Sequence, residues 1–126
     1  MKGRLEHVNL TVSDPERTAR ALCALFDWRV RWQGASRNGG TTFHVGADDA
    51  YLAVYSLDGA PGEGAPSHTT KGGLNHIGVL VDDLDLTERR VREAGYTPYG
   101  HDDYDPGRRF YFRDADGVEF EVVSYA

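Results

Sequence analysis

Two histidines stand in closely similar surroundings in the two halves of the chain. His7 lies in the segment LEHVNLTVSD and His76 in LNHIGVLVDD, and the two segments align at a constant offset of 69 residues. A carboxylate, Glu121, lies in the last apolar segment, GVEFEVV. Imidazole and carboxylate groups are common ligands of divalent metal ions, and a set of three leaves coordination positions open for substrate or water. These three residues are therefore the first candidates for chemistry.

The segments around them predict two copies of one structural unit. In the first half, the alternating run LEHVNLTV predicts a strand, and Ser13 or Asp14 followed by Pro15 predicts the start of a helix. Three more strands are predicted in WRVRWQG, TTFHVGA and AYLAVYSL. The second half repeats this order, with a strand in LNHIGVLV, a helix in LDLTERRVREAG ending at Gly95, and strands in YTPYGH, RRFYFRD and GVEFEVVSY. The sequence thus predicts an α+β fold of two βαβββ modules.

The length of the chain limits how many domains it can form. With 126 residues, of which 40% are hydrophobic, the chain can build one ordinary core, so we predict a single domain over residues 1–126. The segment 58–72 is rich in Gly and Pro and is predicted to link modules at about 1–57 and 73–126.

Strand alternation predicts where the three candidates point. His7 falls on the face opposite the apolar residues that must meet the helix, and the repeat gives His76 the same position. Glu121 lies 45 residues after His76, and the matching position in the first half is Leu52 or Ala53. If the modules pair with pseudo-twofold symmetry, His7, His76 and Glu121 converge, and Ala53 offers no ligand. The predicted site suits Fe, Mn, Zn or Ni.

Each candidate also has a plainer interpretation. A strand histidine is more often a hydrogen-bonded structural residue than a ligand, and Glu119 with Glu121 could form a solvated strand face. The symmetry-related placement of all three candidates favours the metal site. Glu119, which lies nearer the predicted Asp-Gly turn, is expected to be solvated.

Charge and hydropathy exclude several kinds of partner. A net charge of −6 and a pI near 5.2 argue against nucleic acid, because phosphate binding relies on clustered Lys and Arg. The apolar segments are too short to span a bilayer, so we expect no membrane association and a cytoplasmic protein. The only cysteine, Cys23, is expected to pack in the core. Open sheet edges predict a homodimer.

Three segments, LEHVNLTVSD, LNHIGVLVDD and RRFYFRDADGVEFEVV, resemble the vicinal oxygen chelate superfamily. This superfamily includes glyoxalases, bleomycin-resistance proteins, fosfomycin-resistance enzymes and extradiol dioxygenases. The resemblance covers essentially the whole chain and implies an incomplete barrel around a central cavity, with ligand positions at His7, His76, Glu121 and near Ala53. Because Ala53 cannot bind a metal, methylglyoxal isomerisation is disfavoured, while the three retained positions argue against a purely sequestering role.

The resemblance also implies roles for nearby residues. In extradiol dioxygenases and Mn-dependent fosfomycin-modifying enzymes, a tyrosine ten residues before the terminal glutamate faces the substrate, and Tyr111 has that spacing. Tyr111 is therefore expected to donate a hydrogen bond to a substrate oxyanion, with core packing as the alternative. His101 is a counterpart of the histidine that supports the extradiol site, although its longer spacing and Ala115, in place of the usual proline, depart from that motif.

Four further residues complete the prediction. Arg109 shares a strand face with Tyr111 and could clamp an anionic substrate group, with an exposed edge position as the alternative. Tyr55 is expected to line the cavity. His44 and His68 have no matching spacing and are interpreted as surface or loop residues.

These observations predict a divalent-metal-dependent enzyme that acts on a small oxygenated molecule. Lyase or isomerase, dioxygenase and transferase chemistry all remain open. The alternative is a non-catalytic protein of the bleomycin-resistance type that holds an aromatic or cationic small molecule. A third alternative is a regulatory or structural module with vestigial histidines.

Overall fold

A computed structural model describes residues 1–36, 39–104 and 107–126, which form two compact units, Met1–Gly62 and Glu63–Ala126. The first unit has one helix and an open sheet of four strands. The helix is α1 (Pro15–Phe26), and the strands are β1 (His7–Thr11), β2 (Arg29–Ala35), β3 (Thr41–Gly46) and β4 (Tyr51–Ser56). The strand order is β1-β4-β3-β2, with β1 parallel to β4 and the other pairs antiparallel.

The second unit repeats this arrangement. Its helix is α2 (Leu84–Glu93), and its strands are β5 (Ile77–Leu80), β6 (Tyr99–Tyr104), β7 (Gly107–Arg113) and β8 (Glu119–Ser124). The order is β5-β8-β7-β6, again with one parallel pair, β5 with β8. The predicted α+β fold of two βαβββ modules is confirmed. In the part of the chain that the structure describes, no helix is long and apolar enough to cross a membrane.

Repeated aspartates begin both helices. Asp14 accepts a hydrogen bond from the backbone N–H of Arg17 at 3.2 Å, and Asp83 accepts one from Leu86 at 3.0 Å. These contacts satisfy amide groups that have no partner inside the helix. Just beyond the end of α2, Gly95 adopts a φ of 92°, which an L-residue with a side chain rarely takes. The helix boundaries that the sequence predicts are therefore set by local chemistry.

Each module buries the sheet face that meets its helix. In the second module the side chains of Phe110, Phe112 and Phe120 are fully buried. The rings of Phe112 and Phe120 stack with centroids 5.2 Å apart and planes 9° from parallel. Successive strand residues point to opposite faces. Tyr111, between Phe110 and Phe112, and Glu121, next to Phe120, therefore point away from this core.

Strand β6 lies further along the chain than the sequence predicts. The prediction placed it at residues 96–101, whereas the structure places it at Tyr99–Tyr104. The pairing with β7 is irregular between Tyr99 and Asp102, and Gly100 inside this irregularity has a φ of 66°. A Cβ at Gly100 would lie only 2.8 Å from Cδ1 of Tyr111. The strand therefore needs glycine here, both for its backbone angle and for the close approach of the Tyr111 ring.

Candidate functional site

The strand register identifies which residue of the first module corresponds to Glu121. Asn9 pairs with Ala53 across β1 and β4, and Gly78 pairs with Glu121 across β5 and β8. Asn9 and Gly78 are related by the 69-residue offset. Ala53 is therefore the counterpart of Glu121, and the other possibility, Leu52, is excluded. The first module has no carboxylate at this position.

Glu121 lies between a histidine and an arginine within the second module. Its Oε1 is 3.1 Å from Nε2 of His76, and its Oε2 accepts a hydrogen bond of 2.9 Å from Arg109. The side chains of Glu121 and Arg109 are each only 14% exposed, while that of His76 is 39% exposed. The ion pair is thus largely shielded from water. Opposite charges attract each other more strongly in such an environment than at the exposed surface. This environment differs from the solvated edge position that was the alternative for Arg109.

Glu119 is not solvated, contrary to the sequence-based expectation. Its side chain is 12% exposed, Tyr99 donates a hydrogen bond to its Oε1, and its Oε2 lies 3.7 Å from Nδ1 of His76. Strand alternation places it on the same face as Glu121, and the irregular strand β6 brings Tyr99 to it. Burial, followed by the hydrogen bond to Glu119, raises the pKa of the Tyr99 phenol. Two carboxylates therefore face the two ring nitrogens of His76.

Tyr111 lies beside the same histidine. It pairs with Glu121 across β7 and β8, so both side chains share one sheet face. Its ring is half-buried and meets the His76 ring edge-on, with centroids 5.8 Å apart and planes at 77°. The Tyr99 ring also stacks on Tyr111, with centroids 6.1 Å apart. Tyr111 therefore contacts the predicted ligand group on the face opposite the phenylalanine core.

The structure does not bring His101 to this cluster. Its Nε2 lies 2.9 Å from a carboxylate oxygen of Glu88 on α2, and its ring stacks on Phe110 at 5.9 Å. These contacts place it toward the helix, on the opposite side of the sheet from Tyr111. Burial alone would raise the pKa of Glu88, but hydrogen bonds from Arg92 and His101 outweigh that effect and leave the pKa lowered.

His7 is held by a carboxylate and an aromatic ring of the first module. Its Nδ1 lies 2.9 Å from Oε1 of Glu6, and its ring stacks on Tyr51 with centroids 5.0 Å apart and planes 12° from parallel. Tyr51 also donates a hydrogen bond of 3.3 Å to Glu6. The hydrogen bond from His7 is the largest cause of the lowered pKa of Glu6. These contacts leave Nε2 as the nitrogen of His7 that points away from Glu6.

His44 occupies a position that sequence reasoning missed. It pairs with Ala53 across β3 and β4, just as Tyr111 pairs with Glu121 across β7 and β8. His44 is therefore the counterpart of Tyr111 and not a loop residue. The signal was hidden because the offset between the modules is 69 residues at the first strand but 68 at Ala53 and 67 at His44.

Three rings form a continuous row on the face of the first sheet that carries His44. We call this row the aromatic strip, and it consists of Trp32, His44 and Tyr51. The His44 ring lies 4.5 Å from Tyr51 and 4.9 Å from Trp32, which is itself 50% exposed. Burial, followed by the nearby charges of His7 and Arg31, lowers the pKa of His44. Tyr55 lies two residues beyond Ala53 on the same face and is half-buried.

The donor atoms of His76 and Glu121 fit a divalent cation as a pair. The observed 3.1 Å is the distance of a hydrogen-bonded ion pair, and it is also close to the separation of about 3 Å between neighbouring ligands of an octahedral ion about 2.1 Å from each. His7 belongs to the other unit. Among residues 1–36, 39–104 and 107–126, no group of three or more His, Cys, Asp or Glu side chains could hold a metal ion. The complete three-ligand site stays a prediction.

Comparison with known proteins identifies the class to which this fold belongs. The family model of the Glyoxalase/Bleomycin resistance protein/Dioxygenase superfamily matches residues 4–122. The chain belongs to this superfamily, which confirms the resemblance seen in its sequence. A search of curated proteins found no match.

Solved structures share the fold at low sequence identity. A glyoxylase/bleomycin resistance protein/dioxygenase domain from Frankia sp. EAN1pec is 24% identical, with 98% of each chain covered and a TM-score of 0.82. The fosfomycin resistance protein FosX from Mesorhizobium loti is 25% identical, with 98% of this chain and 92% of that chain covered and a TM-score of 0.68. FosX from Listeria monocytogenes, complexed with Mn(II) and sulfate, is 19% identical, with 98% and 93% covered and a TM-score of 0.71.

Proposed function

We propose that this protein is a divalent-metal-dependent enzyme that acts on a small oxygenated molecule. The observation that carries the proposal is the 3.1 Å separation of His76 Nε2 and Glu121 Oε1 on one face of the second sheet. His7 is included as the third ligand because of the 69-residue repeat. The Mn(II) in the Listeria FosX structure supports metal use within this fold. Mn, Fe, Zn and Ni all accept such ligands.

The residues around His76 and Glu121 have different roles in this proposal. A bound metal would polarise a substrate oxygen as a Lewis acid. Glu121 would present Oε1, because Arg109 already holds Oε2 at 2.9 Å. In this proposal Arg109 orients Glu121 and does not clamp a substrate anion. Tyr111, beside His76, would donate its phenol proton in a hydrogen bond to the substrate oxygen.

The alternative function is non-catalytic binding of an aromatic or cationic small molecule. Two observations favour it. Arg109 neutralises Glu121 without any metal, and the aromatic strip presents a half-exposed Trp32 on which a ring or a cation could stack. Tyr55 would line the same surface. A protein of this kind would bind its ligand with no requirement for metal.

Metal content after purification without chelators separates the two functions. We expect about one divalent ion per wild-type chain by elemental analysis, and loss of this ion in His7→Ala and in His76→Ala, because each removes one ligand. The matched control is His68→Ala, which removes an exposed histidine from the short 3₁₀ helix Ser67–Thr69 and should keep the ion. Far-UV circular dichroism should remain native in all variants.

Two results would contradict the proposal. Wild-type protein that contains no metal and takes up none of Mn(II), Fe(II), Zn(II) or Ni(II) would make the binding function the better account. Retention of the ion in His76→Ala would show that the metal binds elsewhere.

A further inference from the structure

We infer that Glu119, held in place by Tyr99, is a positioning residue that orients His76 toward the cation. This inference rests on the proposed function, because it concerns how one of the proposed ligands is presented. It gives a role to a carboxylate that the ligand set does not include.

The two oxygens of Glu119 have separate partners. Oε1 accepts a hydrogen bond from Tyr99 and lies 3.5 Å from a guanidinium nitrogen of Arg113. Oε2 faces Nδ1 of His76 at 3.7 Å. At 12% exposure, the Glu119 side chain is also shielded from water. A carboxylate so confined presents one oxygen to the histidine in a fixed direction.

The opposite nitrogen of the same ring faces Glu121. Nε2 of His76 lies 3.1 Å from Glu121 Oε1. In metal sites, a histidine ligand commonly donates its second ring N–H to a carboxylate, which fixes the ring's orientation and raises its basicity. Glu119 faces Nδ1 at an ion-pair distance of 3.7 Å, longer than a hydrogen bond, and Glu121 lies on the metal side of Nε2. The two carboxylates are thus on the sides of the ring that this arrangement requires, and a ring shift of about 0.8 Å toward Glu119 would complete it. Glu119 would therefore keep Nε2 available to the cation.

Tyr99 reaches Glu119 from the strand position just before the irregularity in β6. Tyr99 is paired with Tyr111, whose own partner is Glu121, so its hydroxyl reaches Glu119 diagonally across the sheet. The break in pairing after Tyr99 and the positive φ of Gly100 redirect this part of the strand. Stacking on Tyr111 then fixes the Tyr99 ring. The phenol and the carboxylate thus act as one unit.

Four substitutions separate orientation from charge. Glu119→Gln removes the charge and keeps the length, while Glu119→Asp keeps the charge and withdraws the carboxylate by one methylene from His76. Tyr99→Phe removes only the hydroxyl and leaves all charges unchanged. Glu93→Gln, on the exposed end of α2, is the matched control for loss of one negative charge.

Calorimetric titration with Mn(II) and with Zn(II) provides the test. We expect Glu119→Gln to weaken metal affinity about tenfold to a hundredfold, as loss of a ligand-orienting partner typically does. Glu119→Asp should lose almost as much metal affinity as Glu119→Gln. Tyr99→Phe should also lose metal affinity relative to wild type, but by a smaller factor. Tyr99→Phe should have no further effect when combined with Glu119→Gln. Glu93→Gln should bind as wild type does.

The outcomes distinguish this inference from the proposed function. If wild type binds metal and the Glu119 variants bind equally well, the inference is wrong and the proposed function stands. Wild-type affinity in Glu119→Asp would mean that charge alone matters, which also overturns it. If Tyr99→Phe lowers metal affinity in the Glu119→Gln variant as much as it does in wild type, Tyr99 does not act through Glu119. If wild type binds no metal, both proposals are wrong.

Discussion

Saturating metal should raise the melting temperature of the wild-type protein on the order of 10 °C, and Glu121→Gln should lose most of this rise. Binding only to the folded state at a hundred times the dissociation constant adds about 2.7 kcal/mol, and a chain of this size gains several degrees per kcal/mol. Glutamine keeps the shape of the side chain but removes the charged oxygen that would bind the cation. Differential scanning calorimetry with and without Mn(II) or Zn(II) measures both values.

The Arg109 contact changes what to expect of Glu121→Gln without metal. A buried carboxylate without a counter-ion is costly, so removing its charge would stabilise the metal-free protein. Because Arg109 is bound to Glu121 at 2.9 Å and both side chains are 14% exposed, the substitution should instead destabilise it by about 1–3 kcal/mol. Glu93→Gln is the control and should keep both the metal-free stability and the metal-dependent rise. Equal behaviour of these two variants would rule out Glu121 as a ligand.

Phe120→Ala should lower the free energy of unfolding by about 3–5 kcal/mol. The Phe120 ring is fully buried, and it stacks on Phe112 at 5.2 Å. Phe120 also separates Glu119 from Glu121 in β8, so its packing fixes the strand that presents both carboxylates. Urea denaturation followed by circular dichroism measures the loss.

A leucine on the same sheet provides the control for Phe120→Ala. Leu80 on β5 is 64% exposed, so Leu80→Ala should change stability by no more than about 0.5 kcal/mol. A similar loss in the two variants would mean that β8 is not anchored through Phe120. The packing of Phe120 would then not be what positions Glu119 and Glu121.

The fold could be predicted because its signals are local. The repeated Leu-x-His motif, the alternation of apolar residues and the aspartate caps each lie within a few consecutive residues. Asp14, one of the two residues predicted to begin the first helix, is its N-cap, and Asp83 has the same place before the second helix. The bounds of strand β6 could not be predicted correctly, because they depend on the irregular pairing at Gly100 and on the neighbouring ring of Tyr111.

The site was harder to predict because it depends on contacts between strands. Glu119 looked solvated, since nothing in its own segment shows that Tyr99 lies against it. His44 was missed because the offset between modules changes by two residues along the chain, which only the strand register reveals. His101 was a candidate despite a spacing longer than that of the family motif, and its contact with Glu88 holds it toward the helix. The spacing of residues in the sequence predicts on which face of a strand a side chain lies. It does not predict which side chains of other strands that side chain contacts.

Anomalous diffraction from crystals grown with Zn(II) tests the proposed metal site most directly. We expect a peak about 2.0–2.2 Å from both Nε2 of His76 and Oε1 of Glu121, with Arg109 still bound to Oε2. We also expect Nε2 of His7 as a further ligand of that ion. If no peak lies at this position, or if the ligands of the peak do not include His76 and Glu121, the proposed metal site is wrong.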